Sequence, residues 1–211
     1  PLASLDDLVF GGWDPISSNV LEAARTCGVL DEKDIAPVSS ELEAIVAMDA
    51  VFDNRWVKNL DGKRVKNLDS KWDQAQALIA DIEKFRVDNE CDRLVMVWCG
   101  STEAFQEASS VHESVDSFEE GLKSNDENIS PSQIYAYAAI MSGVPFANGA
   151  PNLALDIPCM VELAKSRGVP VAGKDFKTGQ TLMKTLLAPG LKARMLGLRG
   201  WFSTNILGNR D

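Results

Sequence analysis

Three short, uninterrupted apolar runs, Leu94–Trp98, Val144–Ala147 and Val169–Ala172, recur along this chain with helical patterns between and around them. Runs of four or five apolar residues bounded by turn formers are too short for helices and read as strands buried in a sheet. Strands separated by helices cannot pair as hairpins, so they lie parallel, with helices covering the sheet. Leu94-Val-Met-Val-Trp98 is expected to be buried on both faces. Ser130 followed by Pro131 caps a helix running to about Met141, and Asp156 with Pro158 opens another that Gly168 closes. Ahead of them, Trp72, Ala75, Leu78, Ile79, Ile82 and Phe85 form the apolar stripe of a long helix starting at Ser70. The pattern predicts an α/β fold, a Rossmann-like doubly wound parallel sheet.

The flanks are less regular. Leu8–Asp14 reads as a short strand ending in a glycine turn. Ser17 or Ser18 caps a helix carrying Val20, Leu21 and Ala24 that stops at Gly28. Ser40-Glu-Leu-Glu43 has the capping-box pattern and predicts a helix through Val51 or Phe52. Residues 53–69, turn-rich around Asp61-Gly62, read as a loop. Trp13, Trp56, Trp72 and Trp98 adjoin apolar runs and are expected to pack. Gln180–Leu187 is helical by the spacing of Leu182, Met183, Leu186 and Leu187. Ala188-Pro-Gly190 should break that helix, and Met195–Phe202 reads as a strand of a different sheet. Residues 1–187 are therefore expected to form one domain and 188–211 to begin a second. Pro1 is not an initiator residue and Asp211 falls within a polar motif, which suggests an internal segment of a longer protein.

Charge and composition narrow the function. A net charge of −10 with no Lys/Arg run argues against nucleic acid or an anionic membrane as partner. Four scattered cysteines, Cys27, Cys91, Cys99 and Cys159, lack metal spacing and read as reduced, mostly buried thiols of a cytoplasmic protein. The single histidine, His112, lies between Ser110 and Ser114 and reads as a solvated surface residue. One histidine leaves no His-based metal site or Ser-His-Asp triad, and no metal is expected. No apolar run reaches the roughly 20 residues of a membrane helix.

Polar clusters fall where strands end. Gly173-Lys-Asp-Phe-Lys-Thr-Gly-Gln-Thr181 lies between a strand and a helix, with two lysines, an aspartate and two hydroxyls around a glycine. The carboxyl edge of a parallel sheet is where α/β folds bind ligands, and a helix start adds amide donors for an anion. An ordinary loop with solvated lysines is the competing reading. Asp14, Gly100-Ser101-Thr102, Asn148-Gly149 and Asn205–Asp211 sit in comparable places. An acid such as Asp14 suits a ribose hydroxyl, and Gly100 and Gly149 admit a cofactor close to the backbone. Each alone is also plain turn chemistry; their recurrence at successive strand ends favours a site. The glycine fingerprint G-x-G-x-x-G of dinucleotide folds is absent from these residues.

Five motifs carry a family likeness: Phe10-Gly-Gly-Trp-Asp14, Trp98-Cys-Gly-Ser-Thr-Glu103, Asn148-Gly-Ala-Pro151, Gly173–Thr181 and Leu207-Gly-Asn-Arg-Asp211. In order and spacing the chain resembles the myo-inositol-1-phosphate synthase family throughout its length. The resemblance implies a cytosolic, usually tetrameric isomerase of inositol and phospholipid biosynthesis. Such an enzyme converts glucose 6-phosphate to an inositol phosphate by NAD-dependent oxidation, enolisation, intramolecular aldol closure and reduction. It further implies a Rossmann-like NAD domain followed by a substrate and oligomerisation domain. The family's glycine loop precedes the first motif, and most of its catalytic lysines follow the last, so the fragment alone should be inactive.

By the same resemblance Asp14 matches a cofactor-contacting acid. Cys99, Gly100, Ser101, Thr102 and Gly149 match the lining of the nicotinamide half. Asp175, Thr178, Asn209 and Asp211 match positions around the nicotinamide and the reacting sugar, with Asp175, Lys177 and Asp211 the catalytic candidates. Lys174, Thr178 and Arg210 depart from the eukaryotic pattern of Asp, Ser and Asn; Thr178 keeps the hydroxyl, whereas Lys174 and Arg210 alter the local charge. Two alternatives stay open: a non-catalytic NAD-binding homologue, and an NAD-dependent sugar-phosphate dehydrogenase. Catalytic-type lysines present or absent beyond Asp211 would decide the first, and net accumulation of NADH would mark the second.

Overall fold

The protein is described here by a computed structural model covering residues 3–176 and 179–202. Its elements, in chain order, are α1 (Val20–Cys27), α2 (Glu32–Ile35), α3 (Ser39–Ala44), α4 (Lys71–Asp88), β1 (Met96–Trp98), α5 (Val115–Ser124), α6 (Pro131–Met141), β2 (Phe146–Asn148), α7 (Pro158–Arg167), β3 (Val171–Gly173) and α8 (Gly179–Ala193).

The three strands form one sheet in the order β1-β2-β3, parallel throughout. Register places Met96 beside Phe146 and Val171, one row of a pleat face, with Val97, Ala147 and Ala172 as the row on the other face. Helix α6 lies against β2 and is flanked by α4 and α7, with α5 packed on α4 and α7. Every residue of α6 except Met141 is buried, and its side chains join Leu78, Ile82, Phe118, Leu122, Phe146 and Met160 in the core. The opposite pleat face is open: Val95 is 69% exposed and Val97 46%. The expected burial of this strand on both faces therefore holds for one face only among the described residues, because the helices packed on the sheet share a single side. The parallel α/β architecture itself is as the alternating pattern predicts.

Cap chemistry set the helix boundaries. Ser70 accepts the Asp73 amide at the start of α4, and Ser130 with Gln133 makes a capping box at α6. The first helix is capped by Asn19, one or two residues later than expected, and ends at Gly28 in the left-handed conformation. Other expectations fail. Leu8–Phe10 are exposed and unpaired; only Trp13 forms a bridge, to Met48. Helix α3 stops at Ala44 instead of reaching Val51, because Val46, Met48 and Ala50 each make isolated bridges, a period of two that a helix cannot satisfy. Helix α8 runs through Pro189 to Ala193, and Met195–Phe202 forms no strand among the described residues. Of the thiols, all free, only Cys159 is buried; Cys27 and Cys99 are exposed.

His112 is 0% exposed, the reverse of a surface residue. Its Nδ1 accepts the Ser109 amide at 2.9 Å, which leaves Nε2 to donate to Gln133 Oε1 at 3.2 Å. Polar neighbours in the sequence turn inward here because they satisfy one another.

Candidate functional site

The strand register aligns Trp98, Asn148 and Gly173 at one carboxyl edge, so the loops that follow them meet there. Gly149 donates its amide to Trp98 O at 2.8 Å, and Phe176 donates to Gly149 O at 3.1 Å. Asp175 donates to Ala150 O at 3.1 Å. Cys99, Gly100, Ser101 and Thr102 line the edge and are exposed, as are Lys174 and Asp175; Gly149 forms its partly covered floor. A Cβ at Gly149 would lie 2.6 Å from Trp98 O and 3.0 Å from the Phe176 ring, so only glycine lets these backbones approach. The described parts of three polar clusters, Cys99–Thr102, Asn148-Gly149 and Gly173–Phe176, thus meet at this edge.

Asp14 reaches the edge only indirectly. Its Oδ1 accepts the Ile16 amide at 2.7 Å, a turn contact. Its neighbour Trp13 packs edge-on to Tyr135 at 5.3 Å, and Tyr135 meets Trp98 at the same centroid distance. Tyr135 also accepts the Val51 amide at 2.9 Å, so one aromatic side chain joins the first motif, the bridged segment and the end of β1.

Asp175 follows directly on Lys174. Lys174 Nζ is paired with Asp156 at 2.6 Å, so that cation serves a different carboxylate. Asp175 has φ +58, in the left-handed region. Lys177, Thr178, Asn209 and Asp211 lie outside the described residues, so their placement toward this edge rests on the resemblance alone.

Beneath the edge lies a buried polar network whose pairings no sequence pattern discloses. Asn148 is fully buried; its Oδ1 accepts the Ala150 amide at 3.1 Å and its Nδ2 donates to Asn152 O at 2.9 Å. Asn152 Oδ1 accepts the Glu103 amide at 2.9 Å, and the Glu103 carboxylate accepts from Ser132 at the start of α6. Burial pushes the Glu103 carboxyl above its ordinary range, opposed by the Ser132 donors. Gln133 Nε2 donates to Leu153 O at 2.8 Å, a second tie from α6 to the same loop. The available signal was three polar residues, Ser130, Ser132 and Gln133, opening an otherwise apolar helix.

A cavity of about 520 Å³ lies elsewhere, between residues 51–71 and the ends of α5 and α6. Two of its cations partner the protein: Arg55 pairs with Asp53 at 2.6 Å, and Lys71 donates to the carbonyls of Asp126 and Ile129 at 2.5 and 2.6 Å. Internal satisfaction of these two favours a structural role for them. Among the described residues no cluster of three His, Cys, Asp or Glu is placed to hold a metal, and no helix is long and apolar enough to cross a membrane.

Residues 1–198 match a family model of the NAD-binding type described as myo-inositol-1-phosphate synthase. The whole chain is 52% identical to inositol-3-phosphate synthase 1 of Bacteroides thetaiotaomicron, covering 49% of that protein. It is 33% identical to the inositol-3-phosphate synthase of Citrus paradisi, covering 42%. The chain thus spans about half the length, or less, of these curated relatives. Among solved structures, the inositol-3-phosphate synthase of Caenorhabditis elegans superposes with a TM-score of 0.84 at 30% identity, over 90% of this chain and 39% of that one. A myo-inositol-1-phosphate synthase-related protein of Thermotoga maritima shares the fold, with a TM-score of 0.64 at 21% identity over 88% of this chain and 47% of that one.

Proposed function

The chain belongs to the myo-inositol-1-phosphate synthase family, and from that premise we propose that it is the cofactor-holding part of an inositol-3-phosphate synthase acting on glucose 6-phosphate. The observation that carries the reading is the common carboxyl edge at Trp98, Asn148 and Gly173, where exposed and small residues converge on one place. The edge suits the nicotinamide half of NAD: the Gly149 floor admits nothing larger than glycine, and the 99–102 loop is open to solvent. When bound, NAD supplies a hydride acceptor that is restored before product leaves, so no net redox change results.

The chain's own residues hold and orient. The exposed loop of Cys99, Gly100, Ser101 and Thr102 would hold the nicotinamide half, and Gly149 would set its depth of approach. Asp175 presents a carboxylate that orients either a carboxamide or a catalytic ammonium; Lys177, Thr178, Asn209 and Asp211 complete the sugar side, and Asp14 holds a ribose hydroxyl. Among them Asp175, Lys177 and Asp211 are assigned to the chemistry, where a cation and a positioned base serve the oxyanion and proton steps. Residues 188–211 are assigned to the start of the substrate and oligomerisation domain. The complete protein is read as a cytoplasmic homotetramer, its partner the sugar phosphate.

The test is to incubate the complete protein with glucose 6-phosphate and NAD. Inositol phosphate should form without accumulation of reduced nicotinamide. Accumulating NADH would indicate a dehydrogenase instead, and NAD binding without turnover a non-catalytic homologue.

A further inference from the structure

We propose that Glu103 is a positioning residue that fixes the 99–102 loop in its cofactor-facing shape by anchoring it to the start of α6. The inference rests on the reading that this loop lines an NAD site. From Cys99 to Phe105 the chain is exposed at every position except Glu103, which is 7% exposed. The loop therefore has one side-chain anchor, and its chemistry is directional. One carboxylate oxygen accepts the Ser132 amide at 2.8 Å and the other the Ser132 hydroxyl at 2.6 Å. Ser132 is the second residue of α6, so its amide is one of the donors a helix leaves unpaired. The carboxylate thus fills the anion position at this helix start with a group from the same chain, and α6 has no free terminus to offer a ligand there.

The same residue is held from a second direction, since its amide donates to Asn152 Oδ1 and Asn152 O accepts from Asn148. Through Glu103 the loop after β1, the loop after β2 and the α6 terminus form one hydrogen-bonded unit. Packing alone does not call for an acid at a buried position, because an apolar side chain of similar size fills such a site at no electrostatic cost. What a polar head group adds is two hydrogen bonds to Ser132 at fixed geometry, which set the course of the loop through Gly100, Ser101 and Thr102.

Full-length protein is titrated with NAD by calorimetry, and KM for each substrate and melting temperature are measured in parallel. Glu103→Ala should raise the NAD dissociation constant and KM about tenfold or more, with KM for glucose 6-phosphate unchanged. Glu103→Gln should restore NAD affinity to within about threefold, because its oxygen still accepts the Ser132 amide while the hydroxyl turns to accept from its NH2. Should Glu103→Ala not fold, Ser132→Ala, which removes one of the two donors, serves as the second variant and should weaken NAD binding about threefold. A variant that loses melting temperature yet binds NAD as the wild type does would overturn the proposal, since a purely structural anchor acts that way. Glu103→Gln binding as weakly as Glu103→Ala would overturn it too, by making the charge responsible. Wild-type protein that binds no NAD would instead sink the cofactor reading beneath it.

Discussion

Helices α6 and α8 are both rich in apolar residues and meet opposite fates. All of α6 but its last residue is buried, whereas in α8 Leu182, Met183, Leu186 and Leu187 are exposed, Leu186 by 64%. Intrinsic preference does not decide their burial: leucine and alanine favour helix in either setting, and α8 forms in spite of Pro189. The difference is in what surrounds each. Helix α6 lies between α4, α7 and β2, and its polar opening residues are answered by Glu103, His112 and the Leu153 carbonyl. Burial is a property of the neighbourhood, and composition only permits it.

The strongest way to break this comparison is to delete side-chain volume from each helix in turn. Ile140→Ala in α6 should cost about 2–5 kcal/mol of unfolding free energy, because the side chain is wholly enclosed and the cavity cannot collapse. Denaturant titration reads it; a cost below about 1 kcal/mol would mean that the α6 environment is looser than it looks.

At the edge the comparison shifts from packing to chemistry. Asp175→Asn preserves size and tolerates the positive φ, so it removes charge and little else. Turnover of the complete enzyme should fall on the order of a hundredfold with the melting temperature intact. Near-normal turnover would show that this carboxylate is only part of a loop.

Lys71 sharpens the contrast between buried and open regions through pH. Burial, with Arg55 adding to it, pushes its amine down to about 8, against the pull of Asp53, Asp126 and Glu127. An unfolded lysine keeps its proton to about pH 10.5. Between about pH 8 and that value the unfolded chain binds a proton the native chain lacks, so this group's contribution to stability rises with pH. Stability measured from about pH 8 to about pH 10 should rise more in wild type than in Lys71→Met. Equal slopes would show that the amine is better solvated than its surroundings suggest.

The smallest effect belongs to α8. Leu186→Ala in the 211-residue chain should change stability by less than about 0.5 kcal/mol. A cost comparable to that of Ile140→Ala in the full-length protein would locate a covering partner among residues beyond these.

What sequence disclosed and what it withheld divide along similar lines. Ser70, Ser130-Pro131, Gly28 and Gly168 announced helix boundaries because a cap is a local bargain between a side chain and the next few amides. The parallel sheet followed from alternation, and three of the strand-end clusters converged because parallel strands place their ends on one edge. His112 and Glu103 were misread or passed over since their partners, Gln133 and Ser132, lie 21 and 29 residues away. No local pattern carries such a pairing. Ile45–Val51 was taken for helix although Val46, Met48 and Ala50 alternate, the trace of a bridged extended segment that the capping pattern before it obscured. The openness of Val95 and Val97 was invisible for a different reason: an apolar run states what a strand can bury, and the layers present decide what it does bury.

The close approach at Gly149 has a consequence for how such a site can diversify. Any side chain there meets the Trp98 carbonyl and the Phe176 ring and would pry β1 from β2. Around it Cys99, Ser101 and Thr102 point into open space, where exchanges leave the strand pairing untouched. Inheritance at this edge therefore has a fixed floor and replaceable walls. A lineage can retune what the pocket prefers by small steps at the rim, but from position 149 there is no single step to any other residue that keeps the sheet whole.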